Sequence, residues 1–219
     1  MSERPEELEP PGPIAGCPFC ALGDLETPLT ETRSFCVVGD HAPLVSGHIL
    51  IIPKAHYACY GAVPTRLDDE LLTLKETIRR FLSEVYHQPT FFEHGVFRQT
   101  VAHAHLHAIP LGEVSLRLED MATGSGGKPL RGQNDLRSWY ASHGHYFTLE
   151  TPGDPEHGVA PQAAVFPPEM GVYGRALNTV RQLANTQETW TPQSLRYETR
   201  IPKMRALAQA WQAWSAQGE

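Results

Sequence analysis

Three histidines alternate with small or apolar residues in the run HAHLHAIP: His103, His105 and His107. A period of two belongs to a strand, so His103–Ile109 is expected to be one, closed by Pro110 and Gly112. All three imidazoles then share a face, with Ala104, Leu106 and Ala108 on the other. Such a face is expensive as plain core, because every imidazole brings two ring nitrogens that need partners. Imidazole is a metal ligand, a proton carrier or a nucleophile toward phosphorus. A metal-only site and a solvated strand face are the two competing readings of the pattern.

The flanking sequence has the elements of an α+β layer. Strand-like runs occur at Ser34–Val38, His48–Ile52 and Thr90–Glu93, and GDHAPLVSG between the first two has turn composition. Leu67, Leu71, Leu74, Ile78, Leu82 and Val85 recur every three or four residues, which predicts a helix over Asp68–Tyr86. Thr65 is placed to cap it with Asp68 three residues on, and Asp68, Asp69 and Glu70 suit its positive end.

Only four cysteines occur in 219 residues, too few for a disulfide scaffold. Cys17 and Cys20 form CPFC, the spacing of half a tetrahedral metal site. A redox dithiol and two free thiols in a turn are the alternatives; the loop-like PPGPIAG before the pair disfavours the redox reading. Cys36 and Cys59 read as packing residues. The net charge of −7 disfavours a nucleic-acid clamp, and no apolar run approaches a membrane span. The opening MSERPEELEP lacks the basic and apolar regions of a signal peptide, so a cytoplasmic location is expected.

Residues 1–16 are acidic and rich in proline, and read as an extended arm. Beyond residue 115 come two glycine-rich loops, a helix at Leu136–Ser142, a strand at His145–Leu149, and helical patterns at Pro168–Leu183 and Lys203–Trp214. The whole acidic excess lies before residue 116, which leaves the later part neutral. Its Arg131, Arg137 and Arg175 are candidates to meet a distal phosphate. His143 and His145 read as polar groups flanking a glycine turn. Glu93 and His94 form either a second proton relay or a turn-stabilising pair, and neither is placed in the core machinery.

HAHLHAI resembles the signature of the histidine triad (HIT) superfamily, and DHAPLVSGHILIIPKAH resembles that family's strand-turn-strand region. CPFC is similar to the amino-terminal pair of its zinc-containing bacterial members. FEHG at Phe92–Gly95, with HAHLHAIPLG, resembles the branch of long HIT-like proteins. The resemblance covers residues 17–115. It implies an α+β, HIT-like fold: an antiparallel sheet of about five strands with a long helix, and a mixed, mostly helical extension (116–219) packed on it.

Carried over by motif, His105 is the implied nucleophile that attacks the α-phosphorus and forms a nucleotidyl-histidine. His107 orients the phosphate oxygens, and His48 buttresses the nucleophile. Cys17, Cys20, His56 and His103 are the implied ligands of one structural zinc. Donors to the phosphate are expected from the amides of Gln99–Ala102 and the side chains of Arg98, Gln99 and Thr100. Arg98–Gln99–Thr100 replaces the Gly-Gln-Ser run of short hydrolases, so the glycine's flexibility is gone. Phe35 and Ile49 are candidates for a nucleoside slot and equally for ordinary core. The implied partner is a small nucleotide, with dinucleoside polyphosphates the leading substrate. A nucleotide-binding module with little turnover and a nucleoside phosphoramidase are the alternatives. HIT domains commonly pair, and the Leu67–Tyr86 helix offers a face for a homodimer.

Overall fold

Leucine and isoleucine at three- and four-residue spacing wind the chain into helix α1 (Asp68–Val85), which buries Leu71, Leu74, Ile78, Phe81 and Leu82. Its start differs from the expected capping box. A 3₁₀ turn at Thr65–Leu67 runs straight into the helix, so Thr65 lies inside helical backbone and no side chain caps α1. The acids of the first turn are used elsewhere: Glu70 accepts the Ser34 N–H at 2.7 Å, and Asp68 pairs with Arg137.

The computed structural model describes residues 10–21, 28–113, 118, 124–169, 174, 178, 180–182 and 197–217. Most of the expected Pro168–Leu183 helix and most of the acidic arm lie outside these. The strands are β1 (Pro28–Glu31), β2 (Phe35–Gly39), β3 (Ile49–Pro53), β4 (Pro89–Glu93), β5 (Leu106–Pro110), β6 (Lys128–Pro129), β7 (Phe147–Thr151) and β8 (Gln162–Phe166). They make one sheet in the order β1-β2-β3-β5-β4-β7-β8-β6, antiparallel throughout. Eight strands stand where about five were expected. The difference lies at the two ends, where β1 adds one edge and the extension supplies β7, β8 and β6.

The sheet is therefore continuous across residue 115. Among the described residues the extension also carries the helices α2 (Gln133–His143) and α3 (Tyr197–Ser215), so it is mixed, with more helix than strand, as expected.

Alternation sorts the sheet into two buried faces. Ile49, Ile51, Phe91, Leu106 and Ala108 pack against α1 in the larger core, together with Phe35 and Trp139. Phe92, Ile109, Phe147, Leu149 and Phe166 line the opposite face with Val45, Leu118 and Val180. His107 pairs with Leu50 on one side and Phe92 on the other, so it projects from this second face.

Specific contacts dock the extension. Arg137 binds the Asp68 carboxylate and the Val63 carbonyl. Lys75 and Arg79 both bond Glu150 of β7, at 2.6 and 2.8 Å. Trp211 and Trp214 of α3 pack edge-on against Phe81, and the Trp214 indole donates to Glu84. The surface of α1 named above as a pairing face is thus partly covered by α3. Arg137, expected as a phosphate clamp, is instead a fastener. Arg131 lines a cavity with Trp139 and Val165, residues of the α1 side of the sheet, away from His107. No described helix is long and apolar enough to cross a membrane.

Candidate functional site

The loop PPGPIAGCPFC turns through Gly16 at φ +82°, a conformation suited to glycine, and carries two cysteines toward the end of β3. There, Cys20 Sγ lies 3.2 Å from His56 Nδ1 and 3.6 Å from His103 Nδ1, and Cys17 Sγ lies 3.5 Å from His103 Nδ1. All four donor atoms fall within 4.8 Å of one another. A tetrahedral ion with sulfur at about 2.3 Å and nitrogen at about 2.0 Å has sulfur–nitrogen edges of about 3.5 Å, close to these spacings. His103 Nε2 donates to the Pro53 carbonyl at 2.8 Å, which leaves Nδ1 with its lone pair facing the thiols. The four residues fit a metal ion.

The expected strand through all three histidines is shorter in the structure. Strand β5 begins at Leu106. Upstream, the Ala104 N–H bonds the Tyr57 carbonyl at 2.7 Å and His103 is drawn to Pro53, so the 53–57 turn pulls this stretch out of the ladder. His103 then belongs to the metal-suited cluster, while His105 and His107 stay together with ring centroids 5.1 Å apart.

His105 Nδ1 donates to the His103 carbonyl at 2.7 Å. The neutral ring therefore has its lone pair on Nε2. Burial, above all, lowers the His105 pKa to about 4, and the His107 ring adds to this, so the ring is neutral near pH 7.

Beside it lies a second set. His48 Nε2 is 3.0 Å from His107 Nδ1, and both are 3.4 Å from Asp40 Oδ2. These three atoms also have ligand-like spacing. The backbone N–H of Leu44 donates to His48 Nδ1, however, at 3.2 Å. Nδ1 is thus an acceptor, and the proton of the neutral ring must sit on Nε2. A nitrogen that carries a proton is no metal ligand, so this set is a hydrogen-bonded relay. The nearest acceptor for the Nε2 proton is His107 Nδ1, which places the proton of His107 on its Nε2.

That Nε2 is buried and has no partner among the described residues, a donor lacking an acceptor. Burial lowers the His48 pKa to about 4. Burial alone would push the Asp40 carboxyl up; the adjoining His48 and His107 rings outweigh it and hold the group well below the usual carboxylate range. Asp40 stands eight residues before His48, inside a segment whose histidine had been singled out, yet nothing in its spacing marked it.

The chain from Glu93 to Ala102 forms the remaining wall. The His94 ring is 5.8 Å from that of His107, so it stands nearer the site than expected. Burial first, and the His107 and His105 rings next, lower its pKa to about 3. Arg98 and Thr100 are exposed, and Arg98 holds φ at +58°. The loop thus keeps a left-handed bend where short hydrolases have glycine. The Gln99 amide donates to the Ala58 carbonyl at 3.1 Å and braces the loop, rather than standing free for a ligand. Phe35 and Ile49 are fully buried in the α1-side core, Phe35 stacked on Tyr60, so neither lines a nucleoside slot.

Residues 30–122 match a family described as "Protein similar to CwfJ C-terminal". The adenosine 5'-monophosphoramidase HNT1 of Saccharomyces cerevisiae is 35% identical over 103 residues, covering 44% of this chain and 63% of the yeast protein. The chain thus spans less than two thirds of the length of that relative. Among solved structures, a zinc-bound histidine triad family protein from Mycobacterium smegmatis is 24% identical, with TM-score 0.40 over 58% of this chain and 94% of that one. A HIT family protein from Bacillus anthracis is 21% identical, with TM-score 0.42 over 58% and 96%.

Proposed function

We propose that this chain, which is a HIT-like superfamily protein, is a nucleotide hydrolase or nucleotidyltransferase that attacks the α-phosphorus of an adenosine-containing phosphoanhydride such as a dinucleoside polyphosphate. The observation that carries the reading is the pairing of two unlike nitrogens. His105 offers a lone pair at Nε2, fixed by its bond to the His103 carbonyl, while His107 offers a buried N–H with no partner among the described residues.

In the first step, His105 Nε2 forms a bond to phosphorus and the bond from phosphorus to the leaving oxygen breaks, its electron pair departing with the leaving group. The ring becomes positively charged, and the His103 carbonyl on Nδ1–H stabilises that charge. Charge on a nonbridging oxygen is met by the His107 N–H; the His48 N–H orients that ring from behind, and Asp40 in turn faces the His48 N–H. In the second step, water forms a bond to phosphorus and gives up a proton to solvent, while the bond from phosphorus to His105 Nε2 breaks, returns its electron pair to the ring and releases nucleoside monophosphate. The exposed Arg98 and Thr100 and the backbone amides of the loop are the remaining phosphate contacts.

Cys17, Cys20, His56 and His103 would hold one zinc, which supplies a structural cross-link. His103 belongs to both arrangements, through its ring to the thiols and through its carbonyl to His105. A homodimer and a cytoplasmic location remain part of this reading, with a small nucleotide as partner and no nucleic acid.

Phosphoramidate cleavage is the second reading, favoured by the activity that the yeast relative's name carries. It uses the same attack, with nitrogen in place of the leaving oxygen. A panel of phosphoanhydrides and adenosine phosphoramidates, with product identification, separates the two. Tight adenosine-nucleotide binding without any turnover would instead make the chain a binding module.

A further inference from the structure

We propose that Glu93 and Tyr146 are positioning residues for the loop 94–102, so that the extension sets the shape of the wall beside His107; this rests on the role given to that loop above. Glu93 ends β4 on the face away from His107 and is 1% exposed. No Lys or Arg among the described residues pairs with it. Instead, Oε1 accepts the Tyr60 N–H and Oε2 the Tyr146 O–H, both at 2.7 Å. The Tyr146 hydroxyl in turn accepts the Gly61 N–H at 2.8 Å. A carboxylate buried without a cation is a poor way to stabilise a core, since apolar residues of similar volume fill such a site at less cost. Its place in the chain gives it a different use.

The residues after Glu93 turn sharply. Gly95, Val96 and Arg98 have φ of +56°, +75° and +58°, and two of these are not glycine. Backbone of this kind persists only where its surroundings hold it. The holding groups come from the segment just before β7. The Tyr146 N–H bonds the Gly95 carbonyl at 3.0 Å, Val96 bridges to Tyr146, and the His145 ring faces Phe97 at 6.3 Å. The Tyr146 ring lies so close over Gly95 that any Cβ there would collide with it. One tyrosine thus fixes both the last residue of β4 and the first bend of the loop, and its hydroxyl finds its position through Glu93.

The test uses the full chain with its metal. Tyr146→Phe removes the hydroxyl and keeps the ring, Glu93→Ala removes the acceptor, and Glu93→Gln keeps its shape and its bond to Tyr60. Arg137→Ala is the control, because it loosens the extension at Asp68 without touching the loop. Expected for Tyr146→Phe and Glu93→Ala is a fall in kcat of about tenfold or more with KM changed less than about threefold, since a small misplacement of catalytic groups costs rate. Glu93→Gln should recover to within about threefold of the parent, and Arg137→Ala should leave kcat within about twofold. Amide exchange should accelerate across 94–102 in the two impaired variants and stay unchanged in β2 and β3. Equal loss in Arg137→Ala, or full kcat and unchanged loop exchange in Tyr146→Phe and Glu93→Ala, overturns the proposal. If Tyr146→Phe fails to fold, the Glu93 pair decides by the same criteria. A parent protein that turns over none of the panel defeats the proposed function; loop exchange then still decides whether Tyr146 and Glu93 set the loop.

Discussion

Two clusters in this molecule have the spacing of metal ligands, and a single hydrogen bond separates their chemistry. In the Cys17, Cys20, His56 and His103 cluster, the far nitrogen of His103 meets a carbonyl, which is an acceptor. In the Asp40, His48 and His107 cluster, the far nitrogen of His48 meets an N–H, which is a donor. The first partner frees the near nitrogen for an ion; the second forces a proton onto it. Distances between side chains do not distinguish a ligand set from a proton relay. The backbone group behind the ring does.

The sharpest way to break this comparison is at the residue between the clusters. His105→Asn should keep the fold, the metal and nucleotide binding, and lower nucleoside monophosphate release by at least about 10³-fold, as expected for loss of a nucleophile. Retained release, measured by product chromatography, would place the chemistry elsewhere. Next in size is Cys17→Ser. It should lower bound zinc well below one per chain and drop the melting temperature by about 10 °C or more, because binding free energy at such a site is folding free energy. Full zinc content by elemental analysis in that variant would remove Cys17 from the ligand set.

Asp40→Asn is the matching test of the relay. It should leave the zinc content unchanged and lower kcat by about 10- to 100-fold, the scale seen when an orienting partner is lost. A loss of metal in this variant would mean the two clusters are not chemically distinct. The smallest effect is on acid stability. His48, His105 and His94 have pKa values lowered by burial to about 4, 4 and 3, so each stabilises the fold above its unfolded value near 6.5 and loses that contribution as pH falls toward the folded value. Glu93 acts in the opposite sense. Burial raises it to about 7, so its protonation on the way down from neutral pH partly offsets the histidines. The melting temperature should fall by a few degrees between pH 7 and pH 6, and more steeply in Glu93→Gln, which lacks the offset.

Much of the site was legible because its residues are chemically conspicuous. Alternating histidines, CPFC and the histidines of GHILIIPKAH marked the groups that the fold gathers into two clusters. What escaped depended on partners remote in sequence. Strand β5 starts three residues late because Tyr57 and Pro53 capture the backbone and ring upstream, and no local pattern contains that competition. Phe35 and Ile49 sit on well-patterned strands, but alternation alone does not say which face meets the helix. Asp40 and Glu93 are single acids whose roles exist only through partners at a distance, Tyr146 being 53 residues from Glu93. Strands β7 and β8 were hard to place for the same reason, since β7 pairs with β4 across the chain and β8 joins the sheet through β7.

The continuity of the sheet has a consequence for anyone who handles this protein in pieces. Strand β4, PTFFE, is an interior strand because β7 covers its outer rim. A chain cut after residue 113 would uncover that rim, with Phe91 and Phe92 beside a row of unanswered backbone donors and acceptors. Exposed edges of this composition recruit further strands from other copies. The shortened protein is then prone to stack on itself, and the extension serves this fold as its guard against aggregation.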